Sequence, residues 1–155
     1  METSGGGGEL KYYERGCELG DAISCTNFGA RLARVASRAE QATCAARLWR
    51  AACSADEPWG CGMLGMAMLR GFGVTANAAG AVRMLDDRCK VVGSFPCTAL
   101  GKLIENGLIG ARDAAKAAAL YARACSTGDG GACAEAKRLG VAVQPQMSTT
   151  KTPMQ

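Results

Sequence analysis

The stretch Cys125-Ser-Thr-Gly-Asp-Gly-Gly-Ala-Cys133 places two cysteines eight positions apart, one on each side of a Gly-Asp turn. Its first cysteine ends one helical pattern of apolar residues, and its second stands where the next pattern begins. The same spacing occurs at three other places, which are Cys17 and Cys25, Cys53 and Cys61, and Cys89 and Cys97. Each pair lies 36 residues after the previous pair. The sequence therefore predicts a repeat array with a fixed period.

This period also aligns the residues between the cysteine pairs. A small residue recurs at Ala45, Ala81 and Ala117, and a large apolar residue recurs at Trp49, Leu85 and Tyr121. An apolar residue followed by glycine recurs at Phe28-Gly29, Leu64-Gly65 and Leu100-Gly101. The apolar spacing is that of one face of an α-helix. We therefore expect two helices per repeat, helix A after each cysteine pair and helix B before the next one. The glycine of helix A would let a neighbouring backbone approach, with the aligned alanine of helix B opposite it.

The predicted fold is an all-α solenoid of about eight helices over residues 9–140. Its predicted parts are a helix B alone at 9–21, full repeats at 22–57, 58–93 and 94–129, and a helix A alone at 130–140. We expect a flexible N-terminal segment at 1–8 and a disordered tail at 141–155, because neither shows a helical period. A helix B without its helix A needs cover, and so we also expect the chain to begin partway through a longer array.

Composition and charge argue against several classes of function. The net charge is +4 and no run of Lys or Arg exceeds two residues, which argues against nucleic-acid binding. No apolar run approaches the length of a membrane span. The first eight residues lack the apolar region of a secretory signal, whereas nine cysteines are typical of an exported protein. We expect a mature or truncated piece of an exported protein, periplasmic or secreted, with a cytoplasmic location as the alternative.

The paired cysteines have three interpretations. The first is four disulfides, each joining the end of helix B to the start of the next helix A, and each worth about 2.5 kcal/mol on the chain-entropy model. The second is a metal site, which the absence of histidine and of any C-x2-C motif disfavours. The third is buried, reduced thiols. The ninth cysteine, Cys44, aligns with Gly80 and Lys116, and we expect a free, partly exposed thiol there, with an intermolecular bond as the alternative.

A repeat of this form resembles the Sel1-like repeat family (SLR), which is related to tetratricopeptide repeats, and its cysteine-paired version resembles the Helicobacter cysteine-rich proteins. The resemblance covers Glu9 to Gly140 and rests on the apolar-Gly pair, the turn Gly71-Phe-Gly73 and the cysteine spacing. Gly20-Asp21 and Gly128-Asp129 match the family turn, whereas Asp56-Glu57 and Val92-Gly93 depart from it. We therefore expect those two middle turns to be shaped differently.

The resemblance implies a right-handed αα solenoid, a location outside the cytoplasm, and a scaffold that binds a protein or peptide. Some members of the cysteine-rich branch are described as penicillin-binding proteins or weak β-lactamases, so such a hydrolase is the alternative function. Ser148-Thr-Thr-Lys151 does spell the S-x-x-K of penicillin-recognising enzymes. It lies in the predicted tail without the partner motifs K-T-G and S-D-N, and chance explains it best. We predict no catalytic, cofactor-binding or metal-binding residue.

A candidate binding surface follows from the repeat alignment. Two residues before each second cysteine stand Ile23, Trp59 and Phe95. By analogy with tetratricopeptide repeats this position faces the concave side, where we expect a monomeric scaffold to accept an extended or helical peptide. The residues expected beside this stripe are Thr26, Met66, Thr98 and Lys102, with Arg34 and Arg70 at the far end of helix A. The alternative is that the three apolar side chains only seal the start of helix A against the adjacent turn.

Overall fold

The computed structural model describes residues 6–143, and the chain is helical across most of that range. The helices within it are α1 (Gly6–Glu18), α2 (Ala22–Arg34), α3 (Ala39–Ser54), α4 (Pro58–Arg70), α5 (Ala78–Val92), α6 (Ser94–Glu105), α7 (Ala114–Ser126) and α8 (Gly130–Arg138). The even-numbered helices are the predicted helices A, and the odd-numbered helices are the predicted helices B. The prediction of an all-α repeat fold with about eight helices is confirmed.

Acidic side chains decide where three of the helices A begin. The side chain of Asp21 accepts a hydrogen bond from the Ser24 N–H at 2.9 Å, and Asp129 accepts one from the Ala132 N–H at 3.2 Å. Glu57 accepts from two N–H groups, of Trp59 at 3.1 Å and of Gly60 at 2.6 Å. Each carboxylate satisfies amide groups that have no partner inside the helix. The helices A therefore start in register with the period of the sequence.

The helices A lie closer together than the helices B. Each helix packs on its neighbours in the chain, and helices A also contact each other directly, α2 with α4 and α4 with α6. Among the described helices, no two helices B contact each other to a similar extent. An array whose units approach on one side and separate on the other is curved. The helices A therefore line the concave side.

The apolar-Gly pairs recur at the same position of each repeat because the helices pack tightly there. A Cβ atom added to the glycine would lie 2.7 Å from Trp49 Nε1 at Gly29, 2.5 Å from Leu85 Cδ2 at Gly65 and 2.8 Å from Tyr121 Cε1 at Gly101. These three large side chains are buried. The glycine therefore makes room for a bulky side chain of helix B. At Gly29 the carbonyl oxygen of the aligned Ala45 also lies 3.2 Å from the added Cβ atom, as expected.

Eight cysteines form four disulfides, and the bonds follow the predicted spacing. They are Cys17–Cys25, Cys53–Cys61, Cys89–Cys97 and Cys125–Cys133, with Cα–Cα distances of 4.5, 4.4, 4.6 and 4.7 Å. Each joins the last turns of a helix B to the first turn of the next helix A. The remaining cysteine, Cys44, is exposed on α3. Four such bonds indicate an oxidising environment.

Two turns depart from the family sequence, Asp56-Glu57 and Val92-Gly93, and only the second of them differs in shape from the Gly20-Asp21 turn. Asp56 adopts a φ of 57°, in the left-handed region that Gly20 occupies in the first turn with a φ of 88°. The two bonds that close each turn match: the N–H of Gly20 or Asp56 donates to Cys17 or Cys53, and the N–H of Asp21 or Glu57 donates to Gly16 or Ala52. The expectation of a different shape at Asp56-Glu57 is therefore wrong. At the other turn α5 continues to Val92, and Gly93 with a φ of 64° leads directly into α6.

The ends of the described range depart slightly from the predicted boundaries. Helix α1 begins at Gly6, three residues before the predicted start of the solenoid. After α8, the Val141 N–H donates to the Ala136 carbonyl at 3.0 Å, and Val143 packs against the same cluster of α7 and α8. Residues 1–5, the rest of the predicted tail at 144–155 and the Ser148–Lys151 motif lie outside the described residues. No described helix has the length and apolar character needed to cross a membrane.

Candidate partner-binding surface

The predicted stripe lies on the first turn of three successive helices A. Ile23 on α2 is 62% exposed and Trp59 on α4 is 51% exposed, whereas Phe95 on α6 is half-buried. The rings of Trp59 and Phe95 stack, with centroids 4.3 Å apart and an angle of 14° between their planes. Stacked aromatic rings of this size form a continuous apolar surface.

A glycine on α4 brings the two rings together. A Cβ atom added to Gly62 would lie 2.0 Å from Cδ1 of Phe95, so the Phe95 ring rests directly on the α4 backbone. Phe95 therefore packs on the neighbouring helix A, a contact that neither interpretation of the stripe included. Trp59 and Ile23 leave half or more of their surface exposed, which sealing alone does not explain.

The apolar surface continues along α4 from Trp59. Met63 and Met66 follow Trp59 at helical spacing and line a cleft of about 390 Å³ between α2 and α4. The other residues around this cleft are Ala33, Trp49, Ala67, Arg70, Gly71 and Phe72. Met66 was predicted to lie here, and Met63 was missed, although its place one turn after Trp59 was a usable signal. We call Ile23, Trp59, Met63, Met66 and Phe95 the concave apolar surface.

Three exposed cationic side chains lie on the helices A that carry the concave apolar surface. Arg34 and Arg70, at the far ends of α2 and α4, and Lys102 on α6 are exposed, as predicted. None of the three forms an ion pair within residues 6–143. Their positive charges are therefore available to a partner, and they repel cationic ones.

Other charges on the helices A are already paired. Arg31 pairs with Glu9 on α1. Arg138 on α8 donates to Glu105 at 2.5 Å and to Glu135 at 2.8 Å, and Tyr121 donates its hydroxyl proton to Glu105 at 2.8 Å. Donation from Arg138, and then from Tyr121, holds the pKa of the Glu105 carboxyl below its usual range. These groups tie helices together and are less available to bind a partner.

Thr26 and Thr98 do not belong to the exposed surface, which corrects their predicted position. They are 7% and 4% exposed. Thr26 donates its hydroxyl proton to the Glu57 carboxylate, and Thr98 donates to Asp129 Oδ2 at 2.6 Å. Each therefore links one helix A to the acid that caps the next helix A. The repeated separation of 31 residues between the threonine and the acid was the signal for these bonds.

Stacked helix pairs in a 36-residue period, with an exposed face of helices A, define the class of fold as an SLR solenoid. The chain is similar to the crystal structure of a protective antigen from uropathogenic Escherichia coli strains that displays an SLR fold, with a TM-score of 0.65 and 24% sequence identity over 84% of this chain. It is also similar to the crystal structure of a Sel1 repeat protein from Oxalobacter formigenes, with a TM-score of 0.62 and 19% identity over 88% of this chain.

These likenesses concern the fold alone. The chain spans 28% of the length of the first protein and 57% of the length of the second. No family model and no curated protein matches the chain. Structural similarity thus shows the SLR fold for residues 6–143, in which eight helices are described.

Proposed function

We propose that the chain is a scaffold that binds a protein or peptide on the concave apolar surface. The observation that supports this most is the stacked pair of Trp59 and Phe95, which stays half-exposed at Trp59 although burial of a Trp ring is favourable. Contiguous exposed apolar surface on a soluble domain commonly marks an interaction site. Trp is also among the residues that contribute most to binding energy at interfaces.

The chemistry of the surface narrows the partner. Met63 and Met66 have flexible, polarisable side chains that adapt to different apolar groups in the cleft between α2 and α4. Arg34, Arg70 and Lys102 favour carboxylates around it. The partner is therefore a polypeptide segment that carries apolar side chains next to Asp or Glu.

Peptide selection on the immobilised protein tests this proposal. We expect the oxidised protein to select acidic peptides with large apolar residues. A variant with Trp59→Ser and Phe95→Ser is expected to bind the selected peptides at least tenfold more weakly, as measured by isothermal titration. Tyr12→Ser is the matched control, because Tyr12 is an exposed aromatic residue on α1, a helix B, and is not part of the concave apolar surface. Equal affinity in the double variant and the wild type would sink the proposal.

The finer family assignment and the location belong to the same proposal. Four disulfides support membership of the cysteine-rich SLR branch and a periplasmic or secreted location. Peptide mapping of native protein without reductant tests both points. Four bonds between cysteines eight residues apart, with Cys44 free, support them, and nine free thiols in protein made under oxidising conditions contradict them.

Hydrolysis of β-lactams rests on the family resemblance alone and stays a prediction. Turnover of a chromogenic β-lactam by purified protein that lacks residues 144–155 would support it. No turnover at high protein concentration would contradict it.

A further inference from the structure

A second cleft lies away from the concave apolar surface, between α5, α6 and the loop that joins α6 to α7. Its volume is about 430 Å³, slightly more than the cleft beside Met63 and Met66. It shares no lining residue with that cleft. Volumes of this order are sufficient for small-molecule ligands.

The cleft exists because the α6–α7 loop packs less closely on α5 than the equivalent α4–α5 loop packs on α3. In the α4–α5 loop, Gly73 packs so closely on α3 that an added Cβ atom would lie 2.0 Å from the Ala42 carbonyl oxygen. The aligned residue of the α6–α7 loop is Ile109, whose side chain excludes such an approach. Ile109 lines the cleft instead.

The backbone hydrogen bonds show the same difference. The Asn77 N–H donates to the Met68 carbonyl at 2.8 Å and closes the α4–α5 loop. Within the described residues, the aligned pair Asp113 and Ile104 forms no such bond. The α6–α7 loop is therefore open, and Leu108 at its tip is 64% exposed.

The cleft combines an apolar floor with charges at its rim. Val82, Leu100, Ile104 and Ile109 supply apolar side chains, and Arg83, Asp86, Asp113 and Lys116 are the charged lining residues. Asp86 is paired with a cation, whereas Asp113 bonds to a backbone N–H and keeps its negative charge at the rim. Asp86 pairs with Lys90 at 2.5 Å, and Asp113 accepts a hydrogen bond from the Lys116 backbone N–H at 2.8 Å.

The two cations at the rim are free. Over residues 6–143, neither the Arg83 guanidinium nor the Lys116 ammonium forms an ion pair. Arg83 lies on α5 and Lys116 on α7, so the two charges flank the cleft from different helices. A ligand that places an apolar body on the floor and an anionic group between these cations satisfies both features.

We infer that this cleft binds a small carboxylate with an aliphatic body. The inference concerns a different set of residues from the proposed peptide site, and either can fail without the other. The ligand is identified by its chemistry: one negative charge for Arg83 and Lys116, and a short hydrocarbon chain for Val82, Leu100, Ile104 and Ile109.

Titration with octanoate, octylamine and octanol separates charge from apolar contact. The readout is the amide chemical shifts of ¹⁵N-labelled, oxidised protein. Octanoate is expected to shift the amides of residues 104–116 and 82–86, and to bind at least tenfold more tightly than octylamine or octanol. Equal binding of octylamine, or octanoate shifts confined to the concave apolar surface, would overturn the inference.

Two sets of variants complete the test. Lys116→Gln and Arg83→Gln are each expected to weaken octanoate binding about tenfold and to leave octanol binding unchanged. Ile109→Gly introduces a glycine at the position that aligns with Gly73 of the closed α4–α5 loop. This variant is expected to let the α6–α7 loop close as well, and so to weaken binding of every ligand in the cleft. Leu108→Gly is the matched control, since Leu108 is a loop neighbour that does not line the cleft. Octanoate affinity unchanged in the Gln variants and in Ile109→Gly would equally refute the site.

Discussion

The outer junctions between helices A differ from the middle one. Between α2 and α4 a buried threonine, Thr26, bonds to the capping acid Glu57, and between α6 and α8 Thr98 bonds to Asp129. Between α4 and α6 glycines stand at both aligned positions, Gly62 and Gly93. There the ring of Phe95 fills the space above Gly62 and stacks on Trp59.

The turn from α5 into α6, beside the middle junction, is bonded instead to the end of α7. The Ser94 N–H donates to Thr127 Oγ1 at 2.5 Å, and Arg123 on α7 donates to the carbonyls of Cys89 and Lys90 at 3.0 and 2.7 Å. These bonds satisfy two carbonyls near the end of α5 and the first N–H of α6. One period thus tolerates two ways of joining repeats, and the exposed aromatic surface arises where the buried threonine and acid are both missing.

The largest effect is expected at the acids of the outer junctions. Glu57→Ala and Asp129→Ala remove a helix cap and the charged acceptor of a buried threonine hydroxyl, at a cost of about 3 kcal/mol each. The hydroxyl then keeps only the backbone carbonyl of its own helix, of Ala22 at 3.2 Å or of Ser94 at 3.5 Å. Asp113→Ala is the control, because Asp113 caps α7 in an exposed position, and its loss costs about 1 kcal/mol. Urea unfolding of the oxidised proteins measures the difference. Equal losses in all three variants would show that the threonine bonds contribute nothing.

The disulfide of the middle junction comes next in size. Replacing Cys89 and Cys97 by Ser lowers the free energy of unfolding by about 2.5 kcal/mol, because the bond closes a short loop in the unfolded chain. The same double replacement at Cys53 and Cys61 is the matched comparison, since the sequence separation is 8 in both. If replacing Cys89 and Cys97 costs much less stability than replacing Cys53 and Cys61, the hydrogen bonds of Arg123 and Thr127 hold the turn into α6 without the disulfide.

A smaller effect separates Phe95 from Ile23 within the stripe. Phe95→Ala removes a half-buried ring from Gly62 and from the stack, and is expected to lower stability by about 2 kcal/mol. Ile23→Ala removes a largely exposed side chain and is expected to change stability by less than about 0.5 kcal/mol. Loss of the stack also exposes Trp59, so its fluorescence should shift to longer wavelength. An unchanged spectrum in Phe95→Ala would contradict the stack.

The smallest effect is a dependence of stability on pH at the last junction. Because Arg138 and Tyr121 hold the pKa of Glu105 below its unfolded value, the stabilisation is present above the unfolded pKa of a carboxyl group. It is lost as the pH falls through the folded pKa. Glu105→Gln is therefore expected to flatten the acid side of the stability profile measured by urea unfolding. Glu14→Gln, at an exposed site on α1, is the control, and an identical slope in both variants would contradict the assignment.

The sequence predicts well whatever recurs at the same position in each repeat. A helix pair considered by itself accounts for the cysteine pairs, for the contact of each helix A glycine with helix B, and for the exposure of Trp59. Contacts between repeats are less predictable, because they depend on which helix A side chain faces the next helix A. Thr26 and Thr98 were therefore placed outside when they are buried, and the approach of Phe95 to Gly62 was missed.

The cleft below Ile109 was missed for a different reason. The aligned residues are glycine and isoleucine, and this exchange is visible in the sequence. Its consequence is not, since it depends on the 2.0 Å approach that Gly73 makes to the α3 backbone and that Ile109 cannot make. Substitutions of a close-packed glycine thus have effects that only the neighbouring element reveals.

The connectivity of the disulfides has a mechanical consequence. Each bond joins residues separated by 8 positions, and none links helices that are distant in the chain. Under tension, every bond would withhold roughly 23 Å of chain, which is the extended length of eight residues less the Cα–Cα distance across the bond, or about 90 Å for all four. The oxidised chain, when pulled, therefore extends with four short loops still closed, one at each boundary between repeats. Reduction of the four bonds releases these loops and lengthens the extended chain in four equal steps.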